Sequence, residues 1–180
     1  MCSSDLLLVR ENNNQGDISK STDYYILDIE YTDYSDRSKS RFDIVALKWE
    51  SKSWIRKDNG KCFVVLMEMK YGDNALDGAA GIEKHLEDFK NFFAKPVYEL
   101  KEIYKDWEKV FKQKCELGLV DGLQEKQYDV KIEFNEPEVA LIYPKQASAI
   151  PLLPHRLPYT ILKKFFGNRI ANITAKIFSR

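Results

Sequence analysis

The stretch that most constrains the fold of this chain is residues 63–70, with the sequence FVVLMEMK. Its first five residues are apolar, which is typical of a buried strand. Because side chains alternate across a strand, Glu68 and Lys70 share one face. Charged groups in a core are costly unless they are paired or bind a metal. The stretch therefore indicates either a local ion pair at a strand end or the catalytic end of a sheet.

The size and composition of the chain indicate a folded protein. Its 180 residues are enough for one domain with a core, and an apolar content of 44% argues against disorder. No stretch has the roughly 20 apolar residues that a membrane-spanning helix needs, and the N-terminus lacks the basic start and cleavage site of a signal peptide. Cys2, Cys62 and Cys115 have no paired spacing, which argues against disulfides or a zinc knuckle. We therefore expect a cytoplasmic protein without membrane contact.

Charge is distributed unevenly along the chain, although the net charge is zero. The part after Glu138 contains 7 of the 28 positive residues and none of the 28 negative ones. Residues 1–138 therefore carry 21 positive and 28 negative side chains. An acidic body followed by a basic tail leaves three interpretations of the tail: contact with nucleic-acid phosphates, docking on the acidic body, or contact with a membrane surface. The first two together are favoured, and the membrane interpretation is the least favoured.

The order of predicted elements begins with a short helix over residues 4–12 and three strands over residues 24–31, 41–49 and 63–70. Short polar connections favour an antiparallel meander for these strands. Two amphipathic helices are predicted next, over residues 79–93 and 97–117, with Pro96 between them.

The remaining predicted elements are two strands and a helix. The strands cover residues 128–134 and 138–143, and the second is expected to be central because both its faces are apolar. Prolines then mark an extended segment, and a basic amphipathic helix is predicted over residues 159–178. We expect an α/β fold of the α+β type that is built on a mixed sheet. Residues 1–143 are predicted to form one domain, and residues 144–180 are predicted to pack on it.

Acidic residues occur on each of the three meander strands. Asp28 and Glu30 lie on the first, Asp43 on the second, and Glu68 with Lys70 on the third. Neighbouring strands are about 4.8 Å apart, so carboxylates at matching heights repel unless a cation lies between them. Oxygen ligands without histidine or thiolate suit Mg²⁺ or Mn²⁺. Such an ion would polarise a phosphodiester oxygen and activate a bound water, and Lys70 would position that water or stabilise the developing charge.

The sequence RFDIV around Asp43, followed by VLMEMK with Glu68 and Lys70, resembles the signature of the PD-(D/E)XK phosphodiesterases, the restriction-endonuclease-like superfamily. Members have a mixed sheet flanked by helices, in the order helix, three-strand meander, helix, strand, and the order is similar across residues 4–143. The resemblance implies that Asp43 and Glu68 bind metal and that Lys70 assists the attacking water. An additional upstream acid is common in the superfamily, for which Glu30 is the first candidate and Asp28 the second.

The chain departs from the superfamily pattern at two places. Phe42 stands where the name of the signature has proline. The glutamine–tyrosine motif that exonuclease-like branches carry on the following helix is missing, and Glu83, Lys84, His85 and Asp88 occupy that helix instead. His85 is an additional catalytic candidate, although a lone histidine on an amphipathic helix is more often structural.

The resemblance implies an enzyme, a Mg²⁺- or Mn²⁺-dependent nuclease that hydrolyses phosphodiester bonds in DNA, with RNA left open as a substrate. Members often dimerise to cut both strands, so a homodimer is also left open. In this interpretation the basic tail docks its apolar side on the body and contacts phosphates through its cations. The candidate phosphate-binding residues are Lys163, Lys164, Arg169 and Lys176.

Two alternatives from other classes stay open at this point. One alternative is a catalytically inactive module of the same fold that binds nucleic acid or a partner protein. The other is a structural subunit whose acids are ordinary surface charges. The acidic body favours the first of these over the second. Divalent-ion binding near Glu30, Asp43 and Glu68 would separate the enzyme from both.

Overall fold

A computed structural model describes residues 23–34, 39–49, 61–69, 82–117, 131–135, 137–144 and 173–178. The strands in these ranges are β1 (Tyr24–Thr32), β2 (Arg41–Lys48), β3 (Phe63–Met69), β4 (Glu138–Pro144) and β5 (Ile173–Phe178). The helices are α1 (Ile82–Phe93) and α2 (Val97–Glu116), and neither is long and apolar enough to cross a bilayer. The strands form one mixed sheet in the order β1-β2-β3-β4-β5, which confirms the predicted α+β class.

β1 and β2 pair as antiparallel strands. The Asp33 N–H donates to the Ser40 carbonyl at 2.9 Å, and the Trp49 N–H donates to the Asp23 carbonyl at 2.7 Å. These bonds join opposite ends of the two strands, as an antiparallel pairing requires. Within β1, Glu30 has a φ of 51°, which is unusual for a residue other than glycine.

The C-terminal part of the sheet corrects the sequence interpretation. Residues 173–178 form β5, which pairs in parallel with β4 in a register that runs from Val139↔Ile173 to Pro144↔Phe178. The predicted helix over 159–178 is therefore wrong at its C-terminal end. Ile173 and Ile177 are four residues apart, a spacing that fits a helical stripe and also alternate positions of a strand. β4 lies between β3 and β5, as its apolar sequence predicted.

The predicted strand over 128–134 is a single bridge in its described part. Cys62 and Ile132 form one parallel bridge, in which the Cys62 N–H donates to Lys131 and the Glu133 N–H donates to Cys62. The predicted helix over 4–12 lies outside the described residues. So do all residues between β4 and β5.

The described chain divides into two compact units. The first comprises residues 23–29, 45–49, 61–65, 96–117 and 131–135. Its core is aromatic: the ring of Phe111 meets the rings of Tyr25 and Trp49 edge-on, at centroid distances of 5.6 and 5.8 Å. The Tyr104 hydroxyl donates to the Asn135 carbonyl at 2.7 Å, which attaches α2 to the segment that follows it.

The second unit comprises residues 30–34, 39–44, 66–69, 82–95, 137–144 and 173–178. Phe42 is fully buried here, stacked on Phe89 at a centroid distance of 5.0 Å and edge-on to Phe92 at 5.3 Å. These contacts hold α1 against β2. Asp33 and Lys95 form a buried ion pair at 2.9 Å, with side chains 4% and 3% exposed. This unit contains Asp43, Glu68 and His85.

Candidate active site

The candidate site is built on the ends of β2 and β3, where Asp43 and Glu68 lie on neighbouring strands. The Met69 N–H donates to Asp43 Oδ2 at 2.9 Å, so the Asp43 carboxylate is held at the residue directly after Glu68. Alternation along β2 places Phe42 and Ile44 in the core and turns Asp43 away from them. Glu68 ends the buried run of β3 and is only 2% exposed. Two carboxylates that are far apart in the sequence therefore meet at one place.

The site contains two carboxylates that are close together, of which Glu68 is buried and Asp43 is half-buried. Burial raises the pKa of Asp43 to about 6, and the charge of Glu68 and a hydrogen bond with it raise this pKa as well. The Met69 N–H and the charge of His85 act in the opposite direction on the pKa of Asp43. Burial and a like charge disfavour ionisation, whereas a nearby cation would favour it. The site is thus chemically suited to a positive ligand.

His85 reaches the site from α1. Its Nδ1 is 2.9 Å from Glu68 Oε1, and its side chain is 19% exposed. The two groups have the distance of an ion pair when the ring is protonated, although the direction is not that of a hydrogen bond. Leu86 and Phe89 on the same helix are fully buried and supply its packing. His85 was an additional candidate from the sequence, and the structure places it against one of the two principal acids.

Asp88 lies near the same acids and was not predicted from the sequence as a site residue. The pKa of Asp88 is raised, mainly by burial. The charges of His85 and Lys84 lower this pKa, the charge of Glu68 raises it, and a hydrogen bond from the Arg41 N–H lowers it. Asp88 is three residues after His85, so both lie on one side of α1. That spacing was the available signal, but it becomes informative only once α1 is known to pack beside β2.

The upstream acids have other contacts. Glu30 Oε1 is 3.5 Å from Nη2 of Arg41, a partly exposed pair between β1 and β2. Asp28 is exposed, accepts the N–H of Ile29 at 2.8 Å and belongs to the first unit. In the described part of the chain, no three or more His, Cys, Asp or Glu side chains form a group that could hold a metal ion. The structure thus brings Asp43 and Glu68 together, and the metal-binding roles predicted for Glu30 and Asp28 stay predictions.

Several predicted site residues fall outside the description. Lys70, which directly follows β3, lies outside the described residues, as do Lys163, Lys164 and Arg169. The backbone of Lys176 is part of β5, and its side chain is not described. The predicted roles of these five cations stay predictions.

The described acids fit a small divalent cation in their donor chemistry. Mg²⁺ keeps several waters and is commonly bound by one or two carboxylates, which is what Asp43 and Glu68 supply. The raised pKa of Asp43 reflects burial and like charge that such an ion would counteract. Comparison of the chain with protein-family models, with curated proteins and with solved structures finds no match.

Proposed function

We propose that this protein is a divalent-metal-dependent nuclease that hydrolyses phosphodiester bonds in DNA. The observation that carries the proposal is the meeting of Asp43 and Glu68 on adjacent strands, fixed by the Met69 N–H at 2.9 Å. A close pair of carboxylates, of which Glu68 is buried and Asp43 half-buried, is costly for the fold, and a cation offsets that cost. In this proposal the sheet, with its two helices, is a restriction-endonuclease-like core.

The roles of the residues follow from their positions. Asp43 and Glu68 would hold Mg²⁺ or Mn²⁺, and the ion supplies a Lewis acid for the phosphate and a more acidic bound water. Glu68 is nearly inaccessible to solvent, so few waters compete with the ion for its carboxylate. Lys70 is two residues after Glu68, so on a continuing strand it would share that face and stabilise charge on the phosphate.

Substrate binding is assigned to the basic tail in this proposal. No acidic residue follows Glu138 in the sequence. The cations of the tail would contact successive phosphates without recognising the base sequence. The candidates are Lys163, Lys164, Arg169 and Lys176. The parallel pairing of β5 with β4 supports the proposal, because it attaches part of this tail to the sheet that carries the acids.

The test is cleavage of supercoiled plasmid, linear duplex DNA and single-stranded RNA by the purified protein, with Mg²⁺, Mn²⁺ or EDTA. We expect metal-dependent cleavage of DNA and none in EDTA. Light scattering on the same samples would show whether the active species is a homodimer. Binding of DNA without cleavage under any ion would overturn the proposal and favour the alternative, a catalytically inactive module of this fold.

A further inference from the structure

Glu68 and His85 contact each other in the acidic site, and the proposed nuclease mechanism gives this contact no role. It joins two different elements: Glu68 ends the buried run of β3, and His85 lies in the first half of α1. The atoms Oε1 and Nδ1 are 2.9 Å apart, and the two residues lie 17 positions apart in the sequence. The contact is therefore made by tertiary packing and not by local chain geometry.

The packing of α1 does not require a histidine at this position. Among the described side chains of the helix, Leu86, Phe89 and Phe92 are fully buried, and the rings of Phe89 and Phe92 pack on Phe42. His85 lies beside that face and keeps 19% of its side chain exposed, with its ring nitrogen at the carboxylate. Its described contact is thus polar and directed at Glu68.

The charged groups around the pair come from both elements packed against it. Asp43 lies on the β2 side, whereas Asp88 and Lys84 lie on the α1 side. His85 is close enough to act electrostatically on both aspartates as well as to touch Glu68. A buried carboxylate with acidic neighbours needs a fixed partner if it is to keep one orientation.

We propose that His85 is the positioning residue of Glu68, which holds one carboxylate oxygen so that the group is presented to the divalent ion in a single orientation. This inference rests on the proposed function, since it concerns the same site. Groups that orient a metal-binding carboxylate typically change metal affinity by about 10- to 100-fold when they are removed. His85 thus acts through Glu68 and does not itself bind the ion.

The experiment is a calorimetric titration of the full chain with Mn²⁺, in the wild type and three variants. His85→Ala removes the contact and is expected to weaken Mn²⁺ binding by about 10- to 100-fold. In His85→Asn the amide nitrogen occupies a place close to that of Nδ1 and can direct one of its two N–H groups at Glu68 Oε1, so affinity should be largely restored. Glu87→Ala is the matched control, because Glu87 is an exposed residue of α1 with a weak contact to Lys90, and its affinity should equal that of the wild type.

A second comparison covers the case in which His85→Ala does not fold. His85→Gln keeps the side-chain size but moves the amide nitrogen away from the position of Nδ1, so it should bind Mn²⁺ more weakly than His85→Asn. Equal affinity of these two variants, or wild-type affinity in a folded His85→Ala protein, would overturn the inference and leave the proposed function intact. A wild type that binds no divalent ion would overturn both.

Electron spin-echo measurements of the Mn²⁺ complex separate positioning from direct binding. The inference predicts no coupling between the bound Mn²⁺ and a ¹⁵N-labelled histidine nitrogen. A coupling that disappears in His85→Asn would show that His85 is itself a ligand and would overturn the positioning role.

Discussion

The carboxylate of Asp43 is tied to the main chain of Met69, whose N–H donates to Oδ2 at 2.9 Å. The bond crosses from β2 to β3, which are neighbours in the sheet. It gives Asp43 a fixed place beside Glu68 without using either oxygen of Glu68. A single backbone donor thus aligns two acids that lie 25 positions apart in the sequence.

Replacement of Asp43 by asparagine should make the metal-free protein more stable at pH 8. The pKa of Asp43 is about 6 in the folded protein and 3.8 as a reference for the unfolded chain, so folding favours the protonated form. The ionised carboxylate therefore destabilises the fold above pH 6, and this effect disappears as the pH falls from 6 towards 3.8. An asparagine oxygen still accepts the Met69 N–H but never carries the charge.

The measurement is thermal unfolding in EDTA at pH 8 and pH 5. Asp43→Asn should melt at a higher temperature than the wild type at pH 8, and the difference should be smaller at pH 5. Asp106→Asn is the control, because Asp106 is an exposed acid of α2 with a side chain 71% exposed. A wild type that is the more stable protein at pH 8 would contradict the account of Asp43.

The buried ion pair of Asp33 and Lys95 should be sensitive to removal of one partner. Both side chains are at most 4% exposed, so Lys95→Met leaves an uncompensated carboxylate in the core and should cost about 3–5 kcal/mol. The double variant Asp33→Leu with Lys95→Met should recover part of that loss, since no buried charge is left. Urea unfolding measures each free energy.

The exposed pair of Glu102 and Lys105 is the matched control for the buried one. Its nitrogen and oxygen are 2.6 Å apart, but the side chains are 68% and 60% exposed, so Lys105→Met should cost less than about 1 kcal/mol. Similar losses for Lys95→Met and Lys105→Met would show that the Asp33–Lys95 pair is solvated and not buried.

Phe42→Ala should destabilise the protein by about 3–5 kcal/mol. Phe42 is fully buried and its ring contacts both Phe89 and Phe92, so the variant leaves a cavity between β2 and α1. Tyr34→Ala, at a position 77% exposed, should change the free energy of unfolding by less than about 0.5 kcal/mol. Chemical denaturation compares the two, and a loss below 1 kcal/mol for Phe42→Ala would contradict the packing described.

Much of the sheet could be predicted because β1, β2 and β3 contain short apolar runs that are buried in the fold. β2 was predicted over 41–49 and is observed as Arg41–Lys48, with Phe42 and Ile44 in the core and Asp43 less buried. The helical stripe of α2 likewise becomes its buried face, with Tyr104 and Trp107 in the core. The apolar pattern of each of these elements, β2 and α2, fits one type of secondary structure only. β5 was missed because the spacing of its isoleucines satisfies two.

The site was only partly predictable for a related reason. Asp43 and Glu68 could be paired by counting along two regular strands. Counting is less reliable around Glu30, where a φ of 51° interrupts the regular geometry of β1, and the structure pairs Glu30 with Arg41. The proximity of Asp88 to Arg41 depends on how α1 docks on the sheet, and no pattern in the sequence specifies that.

The central claim is that Asp43 and Glu68 form a site that hydrolyses phosphodiester bonds with a divalent ion. Single-turnover cleavage of end-labelled duplex DNA in Mn²⁺ tests it most directly, with wild type, Asp43→Asn, Glu68→Gln and the exposed control Glu87→Gln. The account predicts cleavage by the wild type and by Glu87→Gln, and a loss of at least about 100-fold in each of the two site variants, since each removes a charged ligand of the catalytic ion. Equal cleavage rates in all four proteins, or no cleavage by the wild type, would contradict it.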